Sequence, residues 1–289
     1  MKIFHKRRGL LPYLLLAPGL AWLLLFFAVP LYYMVRISLE QGTIFEGYHF
    51  SWHFKNYTDA LSAYHTQFAR SLLYAGAATL ISFVISYPLA YAIAFRGGKW
   101  KNALLLLVVL PFFVTYLIRT LSWETILADD GVVVHTLQSL GLMSQNGRLL
   151  ATTGAVIAGI TYNFLPFMIL PLYASLERID ARMLEAGYDL YGTRRAVFTK
   201  VTLPLSLPGI VAGVLLTFIP AAGDFINAQL LGTPRQAMIG NVIQSRYLVT
   251  TDYPTAAALS FMLMALILVL VLVWARFVGT EALTGAEAR

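Results

Sequence analysis

The chain has 289 residues and no cysteine, which excludes disulfide scaffolds, thiol catalysis and cysteine-ligated metal or iron–sulfur sites. Charge is scarce as well. Only 12% of residues are Asp, Glu, Lys or Arg, about half the share usual in a soluble domain, and a water-facing surface of this length needs more. No Gly-x-x-x-x-Gly-Lys-Ser/Thr segment occurs, so the chain has no P-loop of its own; Gly97-Gly98-Lys99 lies in a short basic turn without the rest of the pattern. None of the five histidines falls within a long apolar run. That disfavours an intramembrane serine protease or a membrane diiron or zinc enzyme.

What the chain does have is hydrocarbon-compatible sequence: 58% of residues are hydrophobic and mean hydropathy is +0.70. Six stretches are long and apolar enough to cross a bilayer core of about 30 Å at about 1.5 Å rise per residue. They lie near Leu10–Ser38, Phe68–Phe95, Ala103–Leu127, Leu150–Ser175, Pro208–Leu231 and Pro254–Val278. The expectation is an all-α membrane protein, one domain over residues 1–289, with no charged or Gly/Ser-rich linker. A signal peptide is the competing reading of the first stretch, because Lys2, Lys6, Arg7 and Arg8 precede it. Its apolar run is too long for that and shows no small-x-small cleavage site.

An even number of spans puts both termini on one side, and the charges say which. The N-terminus, the turn of Arg96, Lys99 and Lys101, the loop from Glu177 to Lys200 and the C-terminal tail carry 14 Lys/Arg against 6 Asp/Glu. Everything else carries 7 against 8. The basic set is expected to be cytoplasmic, which makes nucleic acid unnecessary as an explanation of the net charge of +7.

Many of the twelve prolines fall inside or at the ends of spans, among them Pro18, Pro30, Pro88, Pro111, Pro166, Pro171 and Pro220. Each interior one removes a helix hydrogen bond that lipid cannot replace, so those turns should face neighbouring helices or a wet cavity. In the segment after the first span, Tyr48, Phe50, Trp52 and Phe54 alternate with His49, Ser51, His53 and Lys55. Period two indicates an extended stretch with one apolar face, and suits an interfacial aromatic anchor better than a two-histidine metal site. A paired-aspartate protease would need Tyr188-Asp189 and Ala221-Ala222-Gly223-Asp224 to set both carboxylates in the bilayer. Asp189 lies instead in a basic loop.

That loop, residues 177–207, carries the most information. Asp180 can cap a helix in which Ile179, Met183, Ala186 with Gly187, and Leu190 share one face. Gly192 offers a turn, and Thr193 can cap a second short helix through Val197, Phe198 and Val201 that Leu203-Pro204 should stop. Periodicity alone leaves two readings open, a connector lying along the headgroups and a docking elbow.

Glu185-Ala186-Gly187, followed by Val201-Thr202-Leu203-Pro204, resembles the Glu-Ala-Ala loop of permease subunits in binding-protein-dependent ABC importers. Glu185, Ala186, Leu203 and Pro204 match at the family spacing, ahead of the penultimate span. Gly187 replaces the second Ala, Val201 replaces Ile, and Tyr191 stands where the motif has Gly, with Gly192 one place later. The resemblance implies a type I ABC importer permease fold: six transmembrane helices with a cytoplasmic coupling-helix loop, in the bacterial cytoplasmic (inner) membrane. It implies that Glu185, Ala186, Gly187, Asp189, Gly192, Leu203 and Pro204 couple the spans to two cytoplasmic ATPase subunits. ATP and Mg would bind there, leaving this chain non-enzymatic and without a cofactor. A second permease subunit and an extracytoplasmic substrate-binding protein complete the implied assembly.

Charges in or near spans cost about 2.5–3.5 kcal/mol at midplane on insertion scales, and so mark candidate pathway residues. These are Asp224 in the fifth span and Arg119 and Glu124 in the third, with Trp123, Tyr116 and Tyr162 as aromatic companions. A carboxylate among aromatic rings suits a cation; equally, Asp224 can pair with a neighbouring helix or a backbone amide. Pro111–Trp123, Leu230-Leu231-Gly232 and Met238–Ile243 look like the spermidine/putrescine permease branch, a likeness covering about Phe68–Arg276. That branch implies polyamine import with a different chain as partner permease. Alternatives are an importer of another small solute, such as an organophosphonate, an iron complex or another anion, and an ATP-independent channel or carrier.

Overall fold

The computed structural model describes residues 11–278. Leu10, the four N-terminal basic residues and the C-terminal tail beyond Val278 lie outside the described residues. The helices are α1 (Leu11–Leu23), α2 (Val29–Ser38), α3 (Lys55–Arg96), α4 (Lys101–Val109), α5 (Tyr116–Leu127), α6 (Val132–Ser139), α7 (Thr153–Glu177), α8 (Ala181–Tyr191), α9 (Arg194–Val197), α10 (Leu203–Leu205), α11 (Leu207–Ala222), α12 (Ile226–Leu231), α13 (Ile239–Gln244) and α14 (Tyr253–Val278). Among the described residues the only sheet is a hairpin of β1 (Glu40–Thr43) and β2 (Gly47–Phe50), antiparallel, with Gln41 opposite His49. The alternating segment therefore forms a strand at its start.

Among the described residues, four helical stretches are long and apolar enough to cross a membrane: Leu15–Ser38, Lys55–Arg96, Thr153–Glu177 and Tyr253–Arg276. Two bent pairs bring the number to six when each is counted as one span: Gly98–Phe113 with Tyr116–Ser139, bent by 93°, and Arg194–Leu205 with Leu207–Ala222, bent by 61°. The third expected span, Ala103–Leu127, is thus not a straight helix. Pro111 lies in a 3₁₀ turn (Leu110–Phe113), and Val114 and Thr115 are extended before α5 begins. The fifth, Pro208–Leu231, is interrupted at Gly223–Phe225. Pro204 does not stop the elbow's second helix either. A π turn at Phe198–Thr202 widens the ladder ahead of it, α10 continues, and the bend falls at Ser206. The same device, a π turn at Leu24–Ala28, precedes Pro30 in the first span.

The described residues cluster into two compact units. One takes in those up to Ala63 together with Ile243–Met262; the other takes in Tyr64–Val242 together with those from Leu263 on. None of the three boundaries falls in a linker-like sequence. In the second unit α11 lies close along α7, and glycine makes that approach possible. A Cβ on Gly209 would stand 2.4 Å from Ser175 Cβ and 2.7 Å from the Pro171 carbonyl oxygen, and one on Gly213 would stand 2.7 Å from Met168 Sδ. Gly209-x-x-x-Gly213 is a small-residue stripe of the kind that lets membrane helices pack backbone to backbone. Met168, Ile169, Leu172 and Leu176 of α7 are fully or almost fully buried beside it.

Candidate functional site

The interruption of the fifth span builds the first candidate site. Asp224 follows Gly223 and caps α12: its Oδ1 accepts from the backbone N–H of Ile226 at 2.9 Å and of Asn227 at 3.3 Å. Its Oδ2 accepts from the Tyr116 hydroxyl at 2.9 Å and from Asn227 Nδ2 at 2.5 Å. Asn227 Nδ2 also reaches the Tyr116 oxygen at 2.5 Å, and its Oδ1 accepts from Asn163 Nδ2 at 3.2 Å. Asn163 donates in turn to Thr120 Oγ1 at 3.1 Å. Asp224, Asn227, Asn163 and Thr120 are all buried. A carboxylate, two amides, a phenol and a threonine from α5, α7 and the α11–α12 break thus form one hydrogen-bonded cluster in an otherwise apolar layer.

The expected pathway residues divide accordingly. Asp224 and Tyr116 meet within the cluster. Trp123 and Tyr162 meet each other, edge to face at 5.4 Å between ring centres, and both are half-buried. Arg119 is buried with its guanidinium 5.5 Å from the Phe112 ring centre and 5.7 Å from that of Tyr116. Among the described residues its Nε and Nη1 have no hydrogen-bond partner, and neither Arg119 nor Glu124 makes an ion pair. Asn163, Asn227 and Thr120 were not singled out from the sequence. They are uncharged, and the available signal was a pair of amides inside apolar stretches, where unpaired polar groups are costly.

The second candidate site is the elbow. Asp180 caps α8 through the Arg182 N–H at 2.9 Å, and Thr193 caps α9 through the Ala196 N–H at 3.3 Å. Gly192 takes the left-handed conformation that ends α8, with φ +66° and its N–H on the Tyr188 carbonyl. This glycine supplies the turn although Tyr191 holds the motif position. Gly187 is buried, and a Cβ there would stand 3.3–3.4 Å from Val201 and Val197. Its missing side chain lets the two arms of the elbow close on each other. Of the expected apolar stripe, Ile179 is half-buried, but Met183, Ala186 and Leu190 face outward, Leu190 at 74% exposure. Glu185 and Asp189 are exposed beside them, Pro204 is exposed and Leu203 half-buried. Among the described residues, one apolar face of α8 is left uncovered.

Residues 86–279 match the family described as the binding-protein-dependent transport system inner membrane component. The spermidine/putrescine transport system permease protein PotB of Haemophilus influenzae is 38% identical over 259 residues, which cover 89% of this chain and 90% of that protein. PotB of Escherichia coli K12 is 37% identical, over 76% of this chain and 81% of its own length. The E. coli inner membrane ABC transporter permease protein YdcU is 38% identical, over 69% and 67%. Among solved structures, a bacterial ABC transporter that imports the acidic polysaccharide alginate contains a chain that aligns with TM-score 0.70 at 21% identity, over 96% of this chain and 98% of that one. The MetNI methionine ABC transporter in inward-facing conformations aligns at TM-score 0.58 and 18% identity, over 76% and 95%.

Proposed function

The chain belongs to the inner membrane components of binding-protein-dependent transport systems, and is a permease of an ABC importer; from that premise we propose that its cargo is a polyamine, spermidine or putrescine. The observation that carries this reading is the 38% identity to a spermidine/putrescine permease over nine-tenths of both chains. Its test is uptake of labelled spermidine by cells lacking their own polyamine importers and expressing this transporter. Uptake that unlabelled polyamine competes away, and organophosphonate or iron complexes do not, is the expected result. Absence of polyamine uptake with transport of another solute refutes it.

Asp224 enters this reading as a residue that shapes the pathway. All four of its hydrogen bonds are to the chain itself, so its carboxylate is spent on capping α12 and tying it to α5. Trp123, Tyr162 and Glu124 are then the better candidates to meet a cation, through ring faces and a half-buried carboxylate. A second reading, import of an anion, draws on Arg119, whose buried guanidinium has unmatched donors; the same competition assay separates the two.

Transport is driven in this proposal by two cytoplasmic ATPase subunits that bind ATP and Mg, with a second permease chain and an extracytoplasmic binding protein. Both termini and the elbow lie on the cytoplasmic side, the side with the excess of Lys and Arg. Met183, Ala186 and Leu190, flanked by Glu185 and Asp189, form the surface that docks into an ATPase subunit. Motion of the elbow passes through α10 and the bend at Ser206, whose hydroxyl bonds Tyr87 at 2.9 Å, into α11. That helix lies along α7 and ends at the Asp224 cluster. Glu185→Arg is expected to lower ATPase co-purification and transport together; wild-type levels of both would remove the elbow from coupling.

A further inference from the structure

The first unit holds a groove that the transport reading does not use. Tyr32, Val35, Arg36 and Leu39 follow one another at helical spacing on the last turns of the first span, and Phe50 and Trp52 of the hairpin segment face them. The space between is about 380 Å³, within the range of small-molecule sites.

The groove is built into the backbone. The Leu39 carbonyl accepts from both Ser51 N–H (3.4 Å) and His53 N–H (3.0 Å), pinning the chain on either side of Trp52. Asn56 Nδ2 donates to the carbonyls of Ser38 (3.0 Å) and Glu40 (2.9 Å), and Ser38 Oγ is 2.6 Å from the Tyr57 hydroxyl. Trp52 itself sits at φ +52°, a conformation uncommon for a bulky residue and tolerated only where surroundings impose it. The strain sets its ring between Phe50, 4.9 Å away edge to face, and Phe54, stacked at 6.2 Å. Yet Trp52 is 64% exposed. Strain that buries a ring against its own chain would be ordinary; here it holds an aromatic wall open.

We infer that this groove binds one membrane phospholipid, an acyl chain lying along Tyr32, Val35, Leu39, Phe50 and Trp52 and the phosphate meeting Arg36. The position argues for this occupant. The groove begins on the apolar span and ends where Glu40 and the hairpin leave it, at headgroup depth, where Trp and Tyr concentrate. Arg36 is the one cation on the wall. It is half-exposed, and Glu40 holds its Nε only at 3.6 Å, so a phosphate can recruit its other donors.

The test uses the whole transporter purified from its membrane. Native mass spectrometry is expected to find one phosphatidylglycerol retained per copy of this chain, lowered about fivefold in Arg36→Gln, in line with one surface cation's attraction. Arg36→Lys should restore part of the retention, and Glu40→Gln should raise it by freeing the guanidinium. In nanodiscs, the fluorescence lost in Trp52→Phe should be quenched by acyl-brominated lipid. Equal retention in wild type and Arg36→Gln overturns the assignment. So does a Trp52 signal that aqueous acrylamide quenches and brominated lipid does not, or one shielded only when the binding protein or the second permease is added.

Discussion

The elbow and the buried cluster solve one problem in two solvents. Each is a break in helical sequence followed by a short helix whose first amides need an acceptor, and each uses an aspartate: Asp180 for α8, Asp224 for α12. Around the elbow water can take over any amide that loses its partner. Around Asp224 nothing can, so the carboxylate there has been given four donors and two neighbouring helices to hold. The same cap is a convenience on the surface and a structural necessity in the apolar layer.

The largest effect should therefore come from Asp224→Ala. It leaves the backbone amides of Ile226 and Asn227 and the Tyr116 hydroxyl without their acceptor, at about 1–3 kcal/mol for each unmet group. A loss of at least about 3 kcal/mol is expected in denaturant unfolding of the detergent-solubilised protein, with Asp224→Asn milder because it keeps an Oδ1 cap. Next comes Gly209→Val on the helix that joins the two sites. Its Cβ meets backbone of α7 as well as Ser175, so a loss of about 1–3 kcal/mol is expected from the overpacking, with transport reduced in the fraction that folds. The smallest is Asp180→Ala, about 1 kcal/mol for an exposed cap, read in the same unfolding assay. If it cost as much as Asp224→Ala, the contrast between wet and dry caps would fail.

The parts of the fold that were legible in the sequence are those set by neighbours within about four residues. Apolar runs located the spans, and Asp180, Thr193 and Gly192 marked the elbow's helix ends, because a cap bonds to amides two or three residues away. Alternation found the strand at Gly47–Phe50. The breaks were harder. A proline in a span says that one bond is lost, and does not say whether a π turn absorbs it, as before Pro204, or the chain turns by 93°, as after Pro111. The elbow's apolar stripe was legible as a stripe, but its direction was not: Gly187 turned inward to meet Val197 and Val201 while Met183 and Leu190 turned out. That choice depends on where the second arm lies.

By itself the sequence determined that this is a membrane-spanning, mainly helical permease, with a capped elbow ahead of the penultimate span and a charged residue, Asp224, set in apolar surroundings. Only the tertiary structure decided which groups that charge meets. An aspartate can cap a helix only where a helix begins, and α12 begins at this point because the span breaks there and α5 and α7 bring Tyr116, Thr120 and Asn163 alongside. A local pattern records that a costly group is present. Three of the donors that satisfy it lie two or three residues away and come into reach once α12 forms, while the fourth, the Tyr116 hydroxyl, lies 108 residues away, and a hydrogen bond at that separation exists only in the folded chain.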